Sequence, residues 1–112
     1  MDHALPAAEQ TAMRQAIEAQ LGPNMTYHAL RTRLAGSLRF ADCHLLVPGS
    51  LTVSEAHDVA NRIEDAVRRA VPGLEVTVHI EPIEERAAWE DSALLPLEQA
   101  ARRLPGGANR PG

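Results

Sequence analysis

Residues 74–81 alternate strictly between apolar and polar side chains. The apolar set comprises Leu74, Val76, Val78 and Ile80, and the polar set comprises Glu75, Thr77, His79 and Glu81. Because successive residues of a β-strand point to opposite faces, this segment predicts a strand with one buried face and one solvated face. We therefore expect a sheet that is covered on one side only.

The remaining elements follow from turn and capping signals. Pro6 begins a helical pattern over 6–21, and two strand-like segments, 27–35 and 38–47, flank the turn Gly36-Ser37. Thr52-Val53-Ser54-Glu55 is a capping box that starts a second helix at about Val53, and Pro72-Gly73 ends it. The order α-β-β-α-β predicts an α/β (α+β) fold, a two-layer open sandwich with helices on one face of a three-stranded sheet. Strand order is not readable from these signals.

Composition narrows the class of protein. Hydrophobic residues make up 45 % of the 112 residues but aromatics only 3 %, so the core should be aliphatic. A net charge of -4 argues against nucleic acid as a partner, because phosphate binding needs a basic face. The single cysteine, Cys43, rules out an internal disulfide and should be a small core residue, since it alternates with His44. No segment has the ~20 apolar residues of a membrane helix, so we expect a soluble, cytoplasmic protein.

The composition changes after Pro82, which suggests two parts. Residues 1–82 carry the predicted helices and strands and form the domain. Residues 83–112 begin with an acidic segment, contain a predicted helix over 93–103 and end in PGGANRPG, whose composition is typical of a disordered tail.

The histidines are the residues of this chain best suited to bind a metal ion. Four of the five histidines fall on predicted helices or strands: His28, His44, His57 and His79. His79 and Glu81 are two residues apart on a strand, so they share a face and can offer a nitrogen and an oxygen to one ion. Such pairs also arise by chance on solvated strands, and both readings stay open on the residues alone. Motifs for phosphate binding, metalloprotease chemistry or redox chemistry are absent, and we expect no enzyme.

Three segments resemble the cytoplasmic domain of the cation diffusion facilitator family, which exports zinc and related divalent ions. The first is His-Ala-Leu-Arg-Thr-Arg at 28–33, followed by Gly36, and the second runs from Phe40 to Leu45. The third runs over 54–82, from Ser-Glu-Ala-His to His-Ile-Glu-Pro. The opening Asp-His-Ala-Leu-Pro is also similar to the family's segment after its last membrane helix. The resemblance covers residues 2–82.

This resemblance implies a metallochaperone-like (ferredoxin-like) fold and a homodimer. It implies metal ligation by His28, His44, His57, His79 and Glu81, in a two-ion site near the contact between subunits. The ion would be a divalent transition metal, zinc above all, with other first-row metals compatible with imidazole and carboxylate ligands. In the family an aspartate is frequent where Glu81 stands.

Two functional alternatives remain at this point. The first is a regulatory metal-binding domain, either cut from a transporter and associated with its membrane domain, or a free-standing relative; the residues fit both origins. The second is an oligomerisation module whose histidines are structural or degenerate. Asp42, two residues before His44, is a candidate accessory ligand, whereas Arg31 and Arg33 are expected on a solvated strand face or in intersubunit ion pairs.

Overall fold

A computed structural model describes residues 5–85 of the chain. The helices and strands are α1 (Ala7–Glu18), β1 (Thr26–Ala35), β2 (Leu38–Val47), α2 (Val53–Ala70) and β3 (Leu74–Pro82). This order confirms the predicted α-β-β-α-β arrangement. Within the described residues, neither helix combines the length and the hydrophobicity of a membrane span.

The three strands form one sheet with β2 in the centre. β1 pairs with β2 antiparallel through the hairpin, and β3 pairs with the other edge of β2 in parallel. Parallel neighbours need a long crossover connection, which α2 supplies. The strand order that the sequence left open is therefore β1-β2-β3.

The helix α2 begins and packs as its sequence pattern predicts. The backbone amide of Glu55 donates to Thr52 Oγ1 over 3.0 Å, and the Thr52 amide donates to Glu55 Oε1 over 2.9 Å. The two bonds complete the capping box and satisfy amides that the first turn leaves unpaired. The residues of α2 that are buried lie at helical spacing: Ala56, Val59, Ala60, Ile63, Ala66 and Val67.

The first helix is shorter than the predicted span 6–21. It ends at Glu18, where the amides of Gln20 and Leu21 turn back to the carbonyls of Ile17 and Glu18. These tighter bonds satisfy the last carbonyls before Gly22-Pro23, which cannot continue a helix. The apolar spacing of residues 19–21 thus comes from a closing turn.

The core is aliphatic, as composition predicts. The largest fully buried side chains are Met13, Ile17, Leu45, Ile63, Val67 and Val71. Cys43 is 2 % exposed and belongs to this core, which confirms the prediction that it points to the other face of the strand from His44.

We call the helix-covered side of the sheet the inner face and the other side the outer face. The fifth histidine of the chain, His3, lies outside the described residues, as do the predicted helix over 93–103 and the predicted tail.

Burial of Cys43 generates a prediction for alkaline pH. Desolvation, followed by the charges of Asp42 and Glu64, raises the pKa of its thiol from 9.0 to about 11. The unfolded chain loses this proton first, so the free energy of unfolding should fall as the pH rises from about 9 to about 11, by up to about 2 kcal/mol. Urea unfolding at several pH values, in the presence of a chelator, measures this slope.

Two variants separate the contributions of Cys43 and Tyr27 to this pH dependence of stability. The chain contains no lysine, so the other side chain expected to act in this range is Tyr27, whose pKa is also raised, mainly by burial and by Glu18. Cys43→Ala should flatten the slope, and Tyr27→Phe should keep the part that belongs to the thiol. An equal slope in Cys43→Ala and the unmodified protein would contradict the assignment.

Candidate metal centre

Three histidines form a row across the outer face of the sheet. His28 on β1 pairs in register with His44 on β2, and His44 pairs with His79 on β3. The ring centroids of His28 and His44 are 5.0 Å apart, and those of His44 and His79 are 5.1 Å apart. We call His28, His44 and His79 the histidine row. It brings together residues that are 51 positions apart in the chain.

Glu81 extends this row at one corner. It lies on β3 opposite Leu46, on the same face as His79, and its side chain reaches diagonally to β2. There Nδ1 of His44 lies in hydrogen-bonding contact with Oε2 of Glu81. Both side chains are 34 % exposed, so the pair is accessible to an ion from solvent. The contact fixes the orientation of the His44 ring, as carboxylates do for metal-binding imidazoles.

A compact set of ligand atoms results from this arrangement. His28, His44 and Glu81 each offer one ligand atom, and these atoms all lie within 4.8 Å of one another. Nε2 of His28 is buried and has no hydrogen-bond partner. An unpaired buried polar atom of this kind costs about 1–3 kcal/mol. Coordination of an ion by this nitrogen would remove that cost, so the residues fit a metal site.

The donor set has the character of a transition-metal site. Two imidazole nitrogens and one carboxylate oxygen suit zinc and other first-row divalent ions, and three protein ligands leave a position open for water or a further ligand. Asp42, the candidate accessory ligand, lies outside the group of three; in register it faces Arg31. The guanidinium of Arg33 lies 4.8 Å from the ring centroid of Phe40, further along the same face.

His57 is not brought to this group. It lies in the first turns of α2 with an exposed side chain, in the helical layer of the domain. The ligand group of the described residues does not contain it. His79, by contrast, lies beside the group, with its ring against His44.

The sequence patterns did not reveal one irregularity of the backbone beside His28. The pairing of β1 with β2 shifts between His28 and Arg31, so that Ala29 and Leu30 together oppose Cys43. Ala29 has a φ of 56°, which is unusual for a residue with a side chain. The sequence did contain one sign of this irregularity, which is the alternation of side chains along β1. His28 and Leu30 would share a face in an unbroken strand, although one is polar and the other apolar.

Comparisons with known proteins agree with this architecture. The model of the family described as the cytoplasmic domain of cation efflux proteins matches residues 5–83. The chain is 38 % identical over 90 residues to the uncharacterized transporter sll1263 of Synechocystis, covering 80 % of this chain and 29 % of that protein. It is 37 % identical over 83 residues to the cation-efflux pump FieF of Pectobacterium atrosepticum, covering 74 % and 27 %. The chain thus spans less than a third of these relatives.

Solved structures show the same fold. CzrB in a Zn form is 37 % identical with a TM-score of 0.65, and the match covers 76 % of this chain and 97 % of that chain. A MamM CTD is 28 % identical with a TM-score of 0.59, covering 67 % of this chain and 95 % of that one. The mixed α+β architecture with a three-stranded sheet is therefore shared with both.

Proposed function

Because the chain belongs to the family of cation efflux protein cytoplasmic domains, we propose that it is a dimeric module that binds a divalent transition-metal ion, zinc above all. The first ion is held by His28, His44 and Glu81. The family consists of transporter domains, and no catalytic step is assigned to this one.

The observation that carries this proposal is the meeting of three ligand atoms with an unsatisfied one among them. His28, His44 and Glu81 come from three different strands, and their ligand atoms lie within 4.8 Å of one another. Chance can place two potential ligands near each other on one solvated strand, but it does not readily bring together ligand atoms from three strands. The buried, unpartnered Nε2 of His28 is the group that an ion would satisfy. The solved CzrB relative, in its Zn form, adds support for zinc.

His79 and His57 are proposed for a second ion. His79 is the end of the histidine row on β3, is exposed and lies outside the first group, so its imidazole can offer a ligand to a second ion. His57 is exposed on α2 and lies outside the first group. An ion bound by His57 would therefore take its other ligands from residues outside that group. This division agrees with the two-ion site that the resemblance implies.

The proposed role is regulation of metal transport. Relatives such as the FieF pump are more than three times as long as the matched segment, and family membership connects this domain with a transporter membrane domain. An ion that binds one arrangement of two subunits more tightly than another shifts the population toward it. A dimeric domain with ligands near the contact can thereby report the concentration of the ion to the membrane domain.

Zinc titration of two histidine variants tests the ligand set. His44→Ala removes the central imidazole of the histidine row and should weaken the first binding step at least about tenfold, or about 1.4 kcal/mol. His57→Ala is the matched control, because it removes an exposed imidazole from the helical layer. It should leave that first step within about twofold and affect only a later step. Isothermal calorimetry on metal-free protein resolves both steps.

Two results would contradict the proposal. Equal loss of the first step in both variants would show that the first ion uses α2. If the unmodified protein takes up no zinc, the alternative holds: an oligomerisation module with structural histidines. Far-UV circular dichroism of each variant confirms that the fold is retained.

The pH dependence of zinc affinity forms a second prediction. Histidine binds metal only as neutral imidazole, so protons compete with the ion for the histidine nitrogens. Affinity should therefore fall steeply between about pH 7.5 and about pH 5.5, with protons released on binding. Calorimetry in buffers of different ionisation enthalpy counts these protons. A flat profile would assign binding to carboxylates alone.

The assembly forms a third prediction. The resemblance to the family implies that two copies associate through this domain, whose model matches residues 5–83 of the chain. We expect a homodimer without metal, because apolar contacts should supply most of the interface energy. Light scattering should give twice the 12.1 kDa mass of the chain. Saturating zinc should make the dimer more compact at constant mass, as seen by small-angle scattering.

His44→Ala provides the control for compaction. It should remain a dimer but keep the same dimensions with and without zinc. A monomeric mass at micromolar concentration would contradict the assembly. Unchanged dimensions of the unmodified dimer would mean that the ion binds without acting as a switch.

A further inference from the structure

The strand β1 contains a bulge at the residue that follows His28. Between His28 and Arg31, two residues of β1 oppose the single residue Cys43 of β2. Ala29 adopts the left-handed conformation, with a φ of 56°. Bulges of this kind usually have glycine at that position, because a Cβ makes the conformation unfavourable. A strained, half-buried alanine beside a candidate ligand needs a physical reason.

The bulge reverses which side chains of β1 face the helices. Before it, Tyr27 packs against the core and His28 faces outward to His44. After it, Leu30 and Leu34 pack against the core. In an unbroken strand His28, Leu30 and Leu34 would share one face. Either the imidazole would then enter the core or the leucines would leave it.

We propose that Ala29 is a positioning residue of the metal centre, whose left-handed backbone conformation places His28 in the histidine row. The proposal rests on the metal-binding function inferred above. It adds a residue that touches no ion and acts only through the direction of the neighbouring side chain. The buried Nε2 of His28 marks how closely that direction is set, because it points the ring into the group rather than toward solvent.

Two substitutions separate backbone conformation from side-chain size. Valine is β-branched and strongly disfavours positive φ, whereas asparagine tolerates it although its side chain is longer than that of valine and also much larger than that of alanine. Ala29→Val should therefore remove the bulge, and Ala29→Asn should keep it. If space around Ala29 were decisive, the two variants would behave alike.

A spectroscopic readout in metal-free protein tests the position of His28 directly. The rings of His28 and His44 are 5.0 Å apart, so their protons should give a nuclear Overhauser effect. This signal should be present in the unmodified protein and in Ala29→Asn, and lost in Ala29→Val. Its persistence in a folded Ala29→Val protein would overturn the proposal, whether or not the domain binds zinc.

Zinc titration then tests whether Ala29 acts through His28. Ala29→Val should weaken the first binding step at least about tenfold, and Ala29→Asn should stay within about twofold. In a His28→Ala background, adding Ala29→Val should cause no further loss, because the ligand that it misplaces is already absent. Additive losses would overturn the proposal. Absence of zinc binding in the unmodified protein would refute the proposed function and leave the ring contact as the test of position.

A glycine pair decides the outcome if Ala29→Val does not fold. Ala29→Gly relieves the left-handed conformation, so it should keep the ring contact and should not lower the melting temperature. Ala35→Gly, on the same strand but without positive φ, should lower it, since glycine weakens an ordinary strand position. Equal destabilisation by both glycines, or loss of the ring contact in Ala29→Gly, would overturn the proposal.

Discussion

The register between β2 and its two neighbours is the constraint on which the rest of this structure depends. Side chains on a strand alternate between faces, so a slip of one residue in either pairing would exchange the inner and outer sets. The actual register aligns His28, His44 and His79 in a single row and keeps Cys43 in the core. The ligand group is thus a consequence of how β2 is held. The inner residues hold β2, because their burial against α2 supplies the free energy.

Most of the fold could be predicted from the sequence, because its helices and strands follow from local patterns of residues. The alternation of 74–81, the turn at Gly36 and the capping box at Thr52 identify β3, the hairpin and α2 almost to the residue. The strand order could not be predicted, because pairing of distant strands leaves no local signal. The end of α1 was also misjudged, because apolar residues in the closing turn imitate a further helical turn.

The candidate site, too, could be predicted only in part. The residues that form it could be named as candidates, and the shared face of His79 and Glu81 follows from their spacing. What spacing could not supply is the diagonal contact of Glu81 with His44, because that contact depends on the parallel register of β2 and β3. Nor could it supply the position of His28, because a bulge at an alanine breaks the parity that sequence patterns assume.

An ion bound by His28, His44 and Glu81 would connect the two edge strands to the central one. The hairpin holds β1 to β2 by a short turn, but β3 reaches β2 only through the long crossover α2. A ligand that binds the folded state alone stabilises it in proportion to the logarithm of its concentration over the dissociation constant. The ion would therefore stabilise the same register that builds its site, and it would do so at the exposed outer face. A core packed on the inner face can then stay unchanged while the outer face responds to metal. With the proposed ion bound, this separation would let one small sheet combine a rigid inner core with a metal-responsive outer face.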